Sequence, residues 1–445
     1  MEIAGENLSR PTHFLGIGGI GMSALAHIML ERGKEVYGLD GKESQIIRDL
    51  QTKGARIFIG EEVHFDSTAQ IVYSSSIKES HPARQAAKYL NCPVYHRSVC
   101  LSMLMEGKQS LLIAGTHGKT STTALLSWVL SHAGLQPSYA VGGILRNIGK
   151  NGGHGTGPHF VAEADESDGS FLNYKGHYGI ITNIEQEHMS YWKTEQALLE
   201  GFKSFASRVE KLLWCADDPS LQSLKLTGQS YGTSDEADWK LFDVYHENLE
   251  VVFSIAHDGQ SFEKIRLPIM GAHQALNSTA VWAVACKLGL PEDKIRKAFL
   301  SFHGVHRRLE KKGEVRGIVV YDDYAHHPTE VAAILVALKQ AMKDCHVKAI
   351  FQAHKYTRTR DCLHLFAAAF QSADDVYVTE IYSAGEQPIE GITGQVLAAA
   401  IPSSRFMTED EILEDLKMTS KSGDVIVTIG AGSVTFLGPK ILDIL

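Results

Sequence analysis

At 445 residues the chain is too long for one ordinary hydrophobic core, and roughly 150 residues per domain suggests about three. A formal charge of −9 excludes a protein built to grip nucleic-acid backbones, which needs clustered Lys and Arg, so any anionic ligand must be held locally. Six scattered cysteines without C-x-x-C spacing exclude a zinc ribbon or a disulfide framework.

The first apolar run, Phe14 to Leu30, follows Glu2, Glu6 and Arg10, is broken by four glycines and contains His27. That is the form of neither a signal peptide nor a membrane span, and the expectation is a cytoplasmic protein with no membrane partner. The first hundred residues alternate β-rich runs with helical patterns: HFLGIGG, a helix through SALAHIMLERG, then EVYGLD, ARIFIG and AQIVYSSSI. Such alternation predicts a parallel sheet with crossover helices. Gly16, Gly18, Gly19 and Gly21 follow the first strand, and Asp40 ends the second, 19 residues past Gly21. This is a dinucleotide-type pattern, with pyrophosphate on the helix N-terminus and the acid on a ribose.

A polar break at Glu106 to Ser110 closes this first domain, expected over residues 1–106. LLIAGTHGKTSTTALLSWVLSHAG then reads as strand, glycine loop and helix. Gly115, Thr116, His117, Gly118, Lys119, Thr120 and Ser121 lie where a phosphate loop belongs. Small residues let backbone N–H groups converge on phosphate oxygens, Lys119 reaches the outer phosphates and the Thr120 hydroxyl can ligate magnesium. The loop departs from G-x-x-x-x-G-K-[ST], since Ile113 stands where the first glycine belongs and Gly115 is added. A nicotinamide-dependent oxidoreductase would use the first glycine loop and leave this second one without a role. An enzyme of ATP and a nucleotide-linked substrate uses both.

Glu163, Asp165, Glu166 and Asp168 crowd the end of an apolar strand, too many acids to be buried without cations. Glu163 closes the strand and is the candidate metal ligand. His188, after another strand, is a candidate second ligand through neutral imidazole, although magnesium prefers oxygen. Residues 228–267 read as irregular and short-stranded, and GAHQALNSTAVWAVACKLG as a helix, completing a second domain over 107–304. A charged hinge at Gly304 to Glu310 opens a third, over 305–445, whose strands again predict a doubly wound sheet. Its strand ends carry Asp322, Asp323, Tyr324, His326 and His327, then His354, Lys355 and Arg358. Arg307 or Arg308 would neutralise a transferring phosphoryl group, and Lys355 with Arg358 would hold a carboxylate.

GIGGIGMS, AGTHGKTSTT, VAEADESDGSFL, TNIEQEH, ALNSTAV, HRRLE, DDYAHHPTEV, FQAHKYTRTRD and EIYSAGEQPI, in this order, resemble the Mur ligases along essentially the whole chain. The resemblance is strongest to their alanine-adding branch. It implies a three-domain α/β enzyme, with Rossmann-like N- and C-terminal domains for the UDP-linked substrate and the amino acid, and a central P-loop ATPase domain. It also implies ATP and Mg2+ as cofactors, with UDP-N-acetylmuramate and L-alanine as substrates joined through an acyl phosphate in peptidoglycan precursor synthesis. A recycling ligase that adds a whole peptide is the alternative within the family, and a monomer or weak homodimer is expected.

By this resemblance ATP meets Gly115 to Ser121, His273, Asn277, Arg308 and Asp323, with Asp323 at the ribose. Metal falls to Thr120, Glu163 and His188, and catalysis to Lys119, Glu163, His188 and Arg308. The UDP substrate would meet Gly16, Gly18, Gly19, Gly21, Asp40 and Ser75, and the amino acid Tyr324, His326, Lys355 and Arg358. Three positions depart from the family pattern: Gln274 for its Asn, Lys355 for the Arg of Pro-His-Arg, and Ala325 for the Gly of DDYGHHP. Lys355 keeps the charge but loses the bidentate fork, so looser amino acid selection is expected. Lys203, 15 residues after His188, stands near where other branches carry a carbamylated lysine.

Overall fold

The computed structural model describes residues 8–445; Glu2 and Glu6 lie outside the described residues. No helix among them is long and apolar enough to cross a membrane. The chain forms two compact units: one runs to Phe242 and adds Ile255–Phe262 and Leu276–Phe302, the other comprises Asp243–Ser254, Glu263–Ala275 and His303–Leu445.

The first unit opens with a five-stranded, all-parallel sheet in the order Arg56–Ile59, Val36–Asp40, Thr12–Leu15, Gln70–Tyr73 and Val94–His96. The alternating pattern of the first hundred residues is therefore a doubly wound sheet, and its order reverses beside Thr12–Leu15. Ligand crevices form at such switch points, where the loops after adjacent strands diverge. Here those loops carry Gly16 to Gly21 and Ser75.

A second sheet follows in the same unit. Its parallel core runs Gln229–Gly232, Val209–Cys215, Gly176–Ile181, Gln109–Ala114, His159–Glu163 and Ser138–Leu145, with Lys150–Gly153 antiparallel at the edge. Strand Gln109–Ala114 sits in its middle and is almost wholly buried, as a near-continuous apolar run in a parallel sheet should be. Phe171, wholly buried, packs its ring against Phe202, Phe205 and Trp192 at centroid distances of 5.3, 5.4 and 6.0 Å. Burying an aromatic side chain is worth about 1.5 to 3 kcal/mol, and this cluster anchors the turn after Glu163 to the helix Glu195–Ala206.

Residues 228–267 correct the sequence reading. They hold four strands, and three of them, Trp239–Glu247, Glu250–His257 and Gln260–Leu267, are eight or nine residues long. The missed signal was turn chemistry: Asp258 and Gly259 both take positive φ, the conformation a tight hairpin turn demands.

The second unit is built on a six-stranded sheet ordered Glu310–Val315, Ile318–Asp323, Asp424–Ile429, His346–Phe351, Asp375–Val378 and Ser404–Phe406. All neighbours are parallel except the first pair. Helix Pro328–Ala341 starts sharply: Pro328 takes the first position, the His327 side chain caps it, and Glu330 reaches back to the His327 N–H.

Candidate active site

The loop after Gln109–Ala114 is held open by its neighbour strand. Thr116 N–H donates to the Asn183 carbonyl (3.0 Å), His117 N–H to Asn183 Oδ1 (2.8 Å), and the Thr182 hydroxyl to the His117 carbonyl (2.6 Å). Gly115, at φ +132°, passes so close that a Cβ there would stand 2.0 Å from Thr182 Oγ1. Gly118, at φ +81°, caps the helix Lys119–His132 without any side-chain hydrogen bond, and a Cβ there would meet Asn277 Nδ2 at 2.4 Å. The result is a strand, a backbone cradle and an open helix N-terminus, the arrangement that binds phosphate. Thr120 is buried in the first turn and Ser121 half-buried beside it.

Lys119 bends back over this cradle. Its ammonium donates to the carbonyls of Gly115 (2.5 Å) and Thr116 (3.1 Å) and pairs with both oxygens of Glu166, at 2.8 and 3.0 Å. Burial alone would lower its pKa, but Glu166 and Asp165 outweigh burial and raise it, so the ammonium stays charged. Burial pushes the Glu166 carboxyl up to about 7 against the pull of Lys119. Asp165 goes the other way: burial is outweighed by Arg97 and Lys119, which hold it down at about 2. Three of the four acids crowded after the strand, Asp165, Glu166 and Asp168, therefore have cations, and these are Arg97 and Lys119.

Glu163 accepts a hydrogen bond from Gly142 N–H at 2.5 Å and is half-buried. His188 takes a left-handed conformation, φ +57°, at the start of the short helix Met189–Trp192, with Nε2 4.0 Å from Glu166 and 3.7 Å from Glu187. Thr120 and Glu163 offer magnesium the oxygen it prefers, and His188 offers nitrogen, the poorer match. Lys203 is exposed near the end of helix Glu195–Ala206.

In the first glycine loop, Gly16 takes φ +76° and Gly18 N–H donates to Asp40 Oδ2 at 2.9 Å. Asp40 thus braces the loop itself, and a Cβ on Gly18 would press on it at 3.0 Å. Gly19 caps helix Ile20–Glu31 with no side-chain hydrogen bond, leaving its N-terminus open to an anion. Gly21 faces Arg97, whose Nη1 would lie 3.9 Å from an added Cβ. The Ser75 hydroxyl donates to Asp168 and lies 2.9 Å from His96 Nε2.

In the second unit the expected residues gather at the carboxyl ends of the parallel strands. Both Asp323 oxygens accept backbone N–H bonds, from Leu309 (2.5 Å) and Ala325 (2.6 Å), and burial pushes the carboxyl up to about 7 against Arg308. Arg307 and Arg308 both lie over the Tyr324 ring, at 4.9 and 5.3 Å. They differ in what else they do: Arg307 also donates to the Gly430 carbonyl at 2.6 Å and approaches Asp322 at 3.7 Å. His326 packs edge-on to Tyr324 and 5.7 Å from His354, which stacks on Tyr382. Lys355 takes φ +73°, its N–H held by the Tyr382 carbonyl, and Arg358 Nη1 donates to the His354 carbonyl at 3.1 Å. His273 is half-buried; burial pushes its imidazole down to about 4.

Sequence profiles match nearly all of this framework: the Mur ligase family catalytic domain over residues 11–109, the Mur ligase middle domain over 113–285, and the Mur ligase glutamate ligase domain over 307–432. The chain belongs to the Mur ligase family. It is similar to the UDP-N-acetylmuramate–L-alanine ligase of Paenarthrobacter aurescens, at 42% identity over 100% of this chain and 99% of that one. The protein of the same name from Protochlamydia amoebophila is 40% identical over 97% of this chain and 98% of its own. Among solved structures, the UDP-N-acetylmuramate-alanine ligase of Thermotoga maritima matches with a TM-score of 0.84 and 26% identity, covering 98% of each chain.

With Mur ligase membership the oxidoreductase reading falls. Four residues of this Mur ligase to which the sequence reading gave no site role lie at the loops in the structure: Arg97, Asp165, Glu166 and Asp168. The three acids were visible as a cluster, whereas Arg97 sits in an ordinary helix, Arg97–Met105, and carried no local signal.

Proposed function

We propose that this Mur ligase joins L-alanine to UDP-N-acetylmuramate while ATP is converted to ADP and phosphate, in the cytoplasm, as a step of peptidoglycan precursor synthesis. The observation that carries the reading is end-to-end similarity at 40% identity and above to ligases of that name, on a chain that keeps a phosphate cradle with its lysine. In this reading residues 1–106 take the UDP-linked substrate, 107–304 take ATP, and 305–445 receive the amino acid.

The sugar's carboxylate attacks the terminal phosphate of ATP, and the alanine amine then displaces phosphate from the acyl phosphate through a tetrahedral intermediate. Lys119 and the amides of Gly115 to Ser121 bind the phosphate charge, and Arg308 neutralises the phosphoryl group in flight. Most of the acceleration comes from such positioning and charge stabilisation. Thr120, Glu163 and His188 would hold magnesium, which when bound neutralises phosphate charge. Asp40, Ser75 and the glycines at 16, 18, 19 and 21 position the UDP moiety. His273 and Asn277 flank adenosine and Asp323 its ribose, while Tyr324, His326, Lys355 and Arg358 receive the amino acid.

A phosphate-release screen of UDP-N-acetylmuramate and ATP against twenty amino acids and a muramyl-type tripeptide tests this. Turnover with L-alanine is expected, with weaker turnover on glycine and serine, since one methyl gives about 1 to 3 kcal/mol of discrimination. Turnover with the tripeptide alone would instead assign a peptide-recycling ligase. Sedimentation is expected to show a monomer or a weak homodimer.

A further inference from the structure

The two glycine loops are joined by one short turn, Asp165 to Asp168. On one side of it, Arg97 Nη2 pairs with Asp165 at 2.6 Å and Asp168 at 3.6 Å, and Ser75 donates to Asp168. On the other side, Glu166 holds the ammonium of Lys119. The turn between them is stiff: Ser167 N–H donates to Asp165 Oδ1, Ser170 N–H to Asp168 Oδ1, and the Trp192 indole N–H to the Glu166 carbonyl at 3.1 Å. The three acids thus share one braced stretch of backbone, which links the placement of the outer two to that of Glu166 between them.

Lys119 is fully committed as it stands. An ammonium has three N–H bonds, and three oxygens take them, the Gly115 and Thr116 carbonyls and Glu166 Oε1, with Glu166 Oε2 a further 2.8 Å ion-pair contact. Phosphates can engage it only if Glu166 yields. Arg97, meanwhile, reaches the other loop: its Nη1 lies at the open helix N-terminus beside Gly21. An anion bound there would meet Nη1 while Nη2 holds Asp165 and Asp168, so it would pull on the same rigid guanidinium from the other side, an arrangement a lysine's point charge cannot reproduce.

We infer that Arg97 is a positioning residue that couples the two loops: a pyrophosphate on Gly16 to Gly21 draws its guanidinium away from Asp165 and Asp168, and the turn relaxes Glu166's hold on Lys119. This rests on the reading that the first loop binds a UDP sugar and the second ATP. The coupling is reciprocal, so each ligand strengthens binding of the other.

Calorimetry on the full chain tests it, with the β,γ-imido analogue of ATP and magnesium titrated with and without saturating UDP-N-acetylmuramate. Wild-type protein is expected to bind the analogue at least about fivefold more tightly when the sugar is present. Arg97→Lys is expected to bring that ratio below about twofold. Glu166→Gln is expected to bind the analogue without sugar as tightly as wild type does with it, and to respond to sugar no further. A purely structural role would weaken binding in both variants and leave the ratio alone. Wild-type coupling retained in Arg97→Lys, no coupling in wild type, or a Glu166→Gln protein that binds the analogue more weakly would each overturn the relay. Wild-type protein that binds the analogue but no UDP sugar would instead overturn the functional reading beneath it.

Discussion

Lys119 Nζ stands 2.8 Å from one oxygen of Glu166 and 3.0 Å from the other, and the Glu166 side chain is 1% exposed. One buried carboxylate is thus matched to one ammonium at the mouth of the phosphate cradle. Lys119→Ala removes the charge that the cradle adds to the phosphates. It should lower ADP formation by at least about a hundredfold, the scale of losing one charge-stabilising donor. Steady-state turnover measures this, and a variant within tenfold of wild type would remove Lys119 from the chemistry.

Glu166 makes stability depend on pH. Its carboxyl ordinarily titrates near 4.5 and burial pushes it to about 7 in the folded chain. Folding is therefore favoured while the group is protonated: the contribution is complete below 4.5 and is lost as pH rises through 7. Glu166→Gln lacks this dependence. The stability of wild type relative to the variant should fall by on the order of 3 kcal/mol between pH 5 and pH 8. Thermal midpoints of both proteins across that range check it; parallel curves would contradict it.

Gly115→Ala faces two penalties at once, a φ of +132° and a Cβ 2.0 Å from Thr182 Oγ1 and 3.0 Å from the Thr182 backbone nitrogen. Strain and overpacking together should cost about 3 kcal/mol. A lowered unfolding midpoint and lost ATP binding are expected, and a variant as stable as wild type would mean the loop is free to move.

Arg358→Ala should raise the KM for L-alanine about 10- to 100-fold, the worth of a charge-assisted hydrogen bond, while the KM values for ATP and the UDP sugar move far less. Lys355→Arg restores the planar fork and should lower the L-alanine KM and sharpen selection against glycine. Equal changes in all three KM values would argue for general disruption of the second unit instead.

Metal dependence gives a separate check on Glu163, which also receives the Gly142 N–H. Chelation should abolish ADP formation and added magnesium restore it. Glu163→Gln should raise the magnesium concentration for half-maximal rate about tenfold or more, one charge-assisted ligand being worth about 1.5 to 3 kcal/mol. A magnesium titration decides it, and an unchanged midpoint would take Glu163 out of the metal site.

Much of this protein was legible in local pattern. Short β-rich runs alternating with helical patterns located the parallel strands, and the two glycine loops and the polar strand ends at Asp323 and His354 marked the candidate ligand sites, because these depend on residues a few positions apart. The hairpin at Asp258-Gly259 was just as local and was simply passed over. What local pattern could not reveal was pairing across the fold. Arg97 lies 68 residues before Asp165, and Lys119 lies 47 before Glu166. Only the tertiary structure decided that three of the four clustered acids, Asp165, Glu166 and Asp168, would pair with those two cations, that Asp40 would brace its own glycine loop, and that Asp323 would spend both oxygens on backbone amides. A charge buried in low dielectric must find a partner wherever the chain brings one, and chain separation has no bearing on which partner that is.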